Sequence, residues 1–189
     1  ARRWRTLRRR ARRSFLERFW LTDLGHLADV WRDGEREVAV RPNQVIAAAL
    51  EHSPLSRGQR TDVVHCVANE LLTPVGLRTL SPKSDGYRSR YDGAVESRER
   101  AYHEGTVWPW LVGFYCEAYL RAHGFRRKRV AHVRACLDGF VPHLDEAGLG
   151  QVSEVFDGDP AHDPGGAIAR AWNVAELLRI HRMLEEERL

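Results

Sequence analysis

Apolar residues recur at three- and four-residue spacing in six stretches, and the connections between those stretches alternate between short and very long. This pattern constrains the fold more than any other feature, because such spacing marks one buried face of a helix. The first stretch runs from near Arg2 to Trp20, with Trp4, Leu7, Ala11, Phe15 and Phe19 on one face. The second opens after Pro42, with Asn43 placed to cap it, and continues through Val45–Leu50. The third follows Ser56 and buries Val63, Val64, Val67, Leu71 and Leu72. The spacing predicts a fourth from near Thr106 to a stop at Gly124, and a fifth from about Arg126 to Glu146. A sixth follows Pro164–Gly165–Gly166 and is expected to turn Ile168, Ala171, Trp172, Ala175 and Leu178 inward. The three long connections, Leu21–Arg41, Thr73–Arg100 and Gly148–Gly165, hold aromatics, glycines and mixed charge, so they read as ordered. Helices paired in sequence with elaborate loops at one end predict an all-α toroid rather than a four-helix bundle. Six helices make about half of a closed double ring of twelve.

Several function classes fall away on composition. The 189 residues are 43% hydrophobic and 30% charged, an ordinary globular balance. No run approaches the roughly 18 apolar residues that span a bilayer, since Val107–Leu120 is broken by Pro109 and Glu117. No apolar segment follows the basic start as a secretory signal requires, so a cytoplasmic protein without a membrane partner is expected. The net charge of +4 is local: eight arginines fall in Ala1–Arg13, where there is no acid. Subtracting them from the 30 basic residues leaves 22 against 26 acidic ones. With no nucleic-acid motif beside them, these arginines read as a solvated helix face, and no nucleic-acid partner is expected. Cys66, Cys116 and Cys136 are odd in number and set among apolar residues, the usage of reduced thiols rather than of a disulfide framework.

The chemistry is sought in the long loops. Arg41, Asn43 and Gln44 stand at a loop-to-helix junction, where amides serve either to cap the helix or to bind hydroxyls. Arg78 sits in an alternating segment that reads as extended, followed by Tyr87, Arg88, Arg90 and Tyr91. Tyr102, His103, Trp108 and Trp110 crowd around Gly105 at an expected helix start. Aromatic faces suit the C–H faces of sugars, and tryptophan equally suits a packed core. Glu154 stands between Val152 and Val155, and a carboxylate among apolar neighbours suggests a general base, since burying an unpaired one is costly. A calcium loop beginning at Asp157 fails, because Ala161 and His162 stand at the expected ligand and glycine positions and Ile168 replaces the bidentate acid. No metal or cofactor motif is present, so none is expected.

Taken in order, R-P-N-Q at Arg41–Gln44, E-L-L-T-P-V-G-L-R-T-L-S-P at Glu70–Pro82 and Y-x-x-R-Y at Tyr87–Tyr91 form a consistent series. It continues with Y-H-E-G-T-V-W-P-W at Tyr102–Trp110, S-E-V-F-D-G-D-P at Ser153–Pro160 and A-W-N-V-A-E-L-L-R at Ala171–Arg179. The series resembles the carboxy-terminal part of glycogen debranching enzymes of the amylo-α-1,6-glucosidase family, from about Phe15 onward. The resemblance implies that residues 1–189 are the carboxy-terminal portion of one (α/α)6 barrel, about half of it. It implies inverting hydrolysis of the α-1,6-linked glucose at a trimmed branch point of glycogen, with Glu154 as base. It also implies that Asn43, Gln44, Arg78, Tyr102, His103, Trp108, Trp110 and Asp157 face the sugar, Asp157 orienting the loop. The family's general acid lies in a T-W-M-D-A-like segment that these residues lack. The expected partners are therefore a branched α-glucan and a preceding half of the same barrel, and the chain alone is expected to be inactive. Glu104 and Gly166 depart from the family's usual residues, which puts the contacts near Glu104 in doubt.

Overall fold

The computed structural model describes residues 2–186. Leu111–His123 forms helix α5, which is buried on nearly every side through Leu111, Val112, Tyr115, Cys116, Tyr119 and Leu120. Each such side chain contributes about 1.5–3 kcal/mol on burial, which makes this helix the natural centre of the core. Three helices pack most extensively on it: α2 (Gln44–Ala49), α3 (Arg57–Glu70) and α8 (Ala171–Glu186). Helix α6 (Arg127–Asp138) contacts both α5 and α8. At its start α3 is fixed by a capping box, in which Ser56 Oγ accepts from the Gln59 N–H and Gln59 Oε1 accepts from the Ser56 N–H. Helix α1 (Arg2–Phe19) has no buried residue among those described, and Trp4 on it is 72% exposed. No helix of the described residues is long and apolar enough to cross a membrane.

Four expectations about helices need correction. The fourth helix begins at Leu111 rather than near Thr106, because Val107–Trp108 joins a sheet and Pro109 follows. The fifth is two helices, α6 and α7 (Val141–Glu146). They part at Gly139, whose backbone lies so close to the Pro74 carbonyl that a Cβ there would overlap it. An additional helix, α4 (Val95–Glu104), has only Ala101 buried, so no apolar stripe announced it. The last helix starts at Ala171 and turns the opposite face inward. Asn173, Ile180 and Leu184 are buried, whereas Ile168, Ala171, Trp172, Ala175 and Leu178 are exposed.

The long loops are ordered, and they carry strands. Leu21–Arg41 holds two hairpins: β1 (Trp20–Leu21) with β2 (His26–Leu27), and β3 (Trp31–Arg32) with β4 (Glu35–Arg36). The other two loops and the segment before α5 build one antiparallel sheet in chain order. Its strands are β5 (Leu72–Thr73), β6 (Gly76–Arg78), β7 (Val107–Trp108), β8 (Val155–Phe156) and β9 (Pro164–Gly165). Its register sets Leu77 opposite Trp108, Arg78 opposite Val107, and Val107 opposite Phe156. Val107 and Phe156 point into the core. Side chains alternate across a strand, which puts Trp108 on the face opposite Val107, and Glu154 lies just before β8. This sheet is what positions the site.

Candidate active site

Glu154 is held by three donors from two segments, α4 and the connection leading into α8. Its Oε1 accepts from the Tyr102 hydroxyl at 2.9 Å and lies 3.3 Å from the Arg170 guanidinium. Its Oε2 accepts from the Ala167 N–H at 2.9 Å. The backbone beneath is equally fixed. The Ser153 N–H donates to His143 Nε2 at 3.2 Å, and the buried Asn173 amide donates to the carbonyls of Ser153 at 2.7 Å and Glu154 at 3.2 Å. Burial holds the His143 imidazole below its ordinary pKa, which keeps it neutral and able to accept. Gly166 takes φ +70°, and a Cβ there would come within 2.8 Å of Glu154 Oε2. A side chain at that position would push the carboxylate aside, so glycine serves both the turn and the approach.

An aromatic wall faces this carboxylate. Tyr102 packs on Trp108 with centroids 4.9 Å apart, Trp108 is followed by Trp110 at 6.3 Å, and Trp110 meets Phe114 edge-on. His103 is exposed and lies edge-on to both Tyr102 and Trp108. Burial pushes the Tyr102 phenol up to about 12, and its hydrogen bond to Glu154 adds to the effect. It therefore stays a donor throughout the neutral range. Tyr102, Trp108, Trp110, Glu154, Trp172 and Glu176 enclose a cavity of about 470 Å³. That lies within the roughly 300–1,000 Å³ of small-molecule sites. Apolar rings beside two carboxylates suit a ligand that is apolar on its faces and rich in hydroxyls at its edges.

Of the residues predicted from sequence, the structure brings Tyr102, Trp108, Trp110 and Glu154 together around the cavity and sets His103 behind them. The others serve the surrounding frame. Asn43 precedes α2, yet its side chain makes no cap and donates to Asp29 at 2.8 Å. Gln44 is buried and binds the Arg41 carbonyl and the Leu27 N–H. Arg78 donates to the Gly158 carbonyl at 2.8 Å, tying β6 to the loop of the base. Asp157 accepts from the Tyr91 N–H and from Arg90, each at 2.8 Å, and so orders the two loops together. Glu104 pairs with Arg88 at 2.8 Å rather than lining the cavity. Sequence reasoning assigned no role to Arg170, Glu176, Asn173 or His143, although Asn173 and Glu176 lie within the Ala171–Arg179 stretch. Trp172 was read as core; it is 50% exposed, with the Arg170 guanidinium 4.1 Å from its ring centroid. Asn173 left a signal, a polar residue inside an apolar helix repeat.

A sequence model of the family described as Amylo-alpha-1,6-glucosidase matches residues 1–179. The chain belongs to the amylo-alpha-1,6-glucosidase family. Among relatives of this family member, a glycogen debranching enzyme of Saccharomyces cerevisiae is 29% identical over 107 aligned residues. That match covers 52% of this chain and 7% of the yeast protein. Among solved structures, the neutral trehalase of Saccharomyces cerevisiae superposes with a TM-score of 0.65 at 16% identity. The superposition covers 95% of this chain and 30% of the trehalase, so the chain spans less than a third of either protein. At that identity the likeness shows the fold alone: the helices of this amylo-alpha-1,6-glucosidase family chain form part of an (α/α)6 toroid.

Proposed function

We propose that this chain carries the general base and one aromatic wall of a glycoside hydrolase that removes α-1,6-linked glucose from branch points of glycogen or limit dextrin with inversion. The observation that carries this reading is Glu154, held by Tyr102, Ala167 and Arg170 at the edge of a cavity walled by tryptophans. A general base must be held where it can take a proton from water, and these contacts fix the carboxylate at the cavity edge. The donors leave lone-pair capacity on Oε2 for that water.

Inversion also needs a proton donor on the leaving oxygen, with the two carboxyl groups roughly 6.5–9.5 Å apart. Glu176 shares the cavity, but both of its oxygens are engaged by donors of Arg179, which fixes it as an acceptor. We therefore assign the acid to a segment outside this chain, in the preceding half of the barrel, and expect residues 1–189 alone to be inactive. The branched α-glucan is the expected partner. A cytoplasmic setting is part of the same proposal, in keeping with three free cysteines. In the full-length protein, Glu154→Gln should lower glucose release from a limit dextrin by about 10²–10⁴-fold. Hydrolysis at the normal rate in that variant would sink the base assignment. Faster release from trehalose or α-1,4 glucans than from α-1,6 linkages would sink the linkage assignment.

A further inference from the structure

We propose that Glu176 is a second sugar-contacting carboxylate, a fixed hydroxyl acceptor that makes the cavity selective for polyhydroxylated rings; this deepens the reading above and rests on it. Glu176 lies one helical turn after Trp172 on α8, so the two project from the same face and both reach the cavity. Its side chain is only 18% exposed. Burying a carboxylate is costly without compensation, and the compensation is a guanidinium. Arg179 Nε reaches both Glu176 oxygens at 3.1 Å, and Nη2 reaches Oε2 at 2.9 Å.

Arg179 is itself fixed. Its Nη1 donates to Glu117 on α5 at 2.7 Å, and its guanidinium lies 5.3 Å from the centre of the Phe114 ring. Across the helix interface, Gly113 leaves the space: a Cβ there would overlap Glu176 Oε2. An ion pair alone could join α5 to α8 without any of this facing a cavity. Here the fork leaves acceptor capacity on Oε1, which is engaged by one donor, while the chain of Arg179 and Glu117 forbids the carboxylate to turn away. A preorganised charged acceptor discriminates strongly for a hydroxyl, because a ligand lacking it leaves the charge unpaired.

The test uses isomaltose as probe, with tryptophan fluorescence as readout, since Trp108, Trp110 and Trp172 line the cavity. Wild-type protein should give a saturable change. Glu176→Gln, which keeps the shape and loses the charge, should weaken binding about tenfold or more. Glu176→Asp, which keeps the charge and withdraws it, should also weaken binding and decides the matter if the glutamine variant does not fold. A midpoint for either folded variant equal to that of wild type would overturn the role of Glu176 while leaving the assignment of Glu154 standing. No response of wild type to isomaltose would overturn both the sugar site and this inference. Unchanged hydrolysis by Glu154→Gln would remove the base alone.

Discussion

Tyr102 cannot lose its proton without placing a second negative charge against Glu154. The phenol is raised to about 12 first by burial and next by that hydrogen bond. Glu154→Gln removes the second cause and leaves the first. Absorbance titration of that variant should therefore show one tyrosine midpoint moving down toward the ordinary value near 10, without reaching it. His143 gives the opposite sense. Its folded pKa lies below the ordinary value of 6.5, so between those two values the unfolded chain binds more protons. Stability from this group is complete above 6.5 and is lost as pH falls toward the folded value. His143→Gln keeps an acceptor for the Ser153 N–H and does not titrate, so urea unfolding at pH 5 and pH 7.5 should show a smaller acid-side loss than in wild type. At this scale sequence showed Glu154, because a lone acid between valines is conspicuous. It did not show Glu176 or Arg170, because acids and arginines are the expected dress of a solvated helix face.

The central helix depends on small residues where its neighbours come close. Gly113 faces Glu176 across the α5–α8 interface, so Gly113→Ala must displace the carboxylate or part the helices. Overpacking of this kind typically costs about 1–3 kcal/mol, and a chemical denaturation midpoint below that of wild type would record it. If the carboxylate gives way instead, stability holds and isomaltose binding falls. Helices α1, α3 and α5 were legible because their apolar residues recur over several turns. The strands of the five-stranded sheet span two or three residues each, too short for an alternation to register, and only the Arg78 segment read as extended. The face of α8 was misread for a physical reason: its exposed stripe, Trp172, Ala175 and Leu178, has the same spacing and apolar character as a buried one.

Across the whole molecule, the sheet converts three distant loops into one site. The base lies beside β8, the wall on β7 and the Arg78 tie on β6, and Phe156 anchors the ladder from beneath against His143. Phe156 is fully buried, so Phe156→Ala should cost about 3–5 kcal/mol in denaturant unfolding. Loss of the isomaltose response in the folded fraction of that variant would show how far the ladder fixes the cavity. The toroidal framework could be anticipated from helix periodicity, whereas the gathering of loops rests on pairings between residues some fifty positions apart, such as Val107 with Phe156. That pairing has a further consequence. Trp108 and Glu154 are aligned through backbone rungs rather than through each other's side chains. The tryptophan rings can therefore be exchanged to change what the pocket admits while Tyr102 and the backbone keep the carboxylate where it stands. The choice of sugar and the attack on its bond are separate adjustments on a common rail.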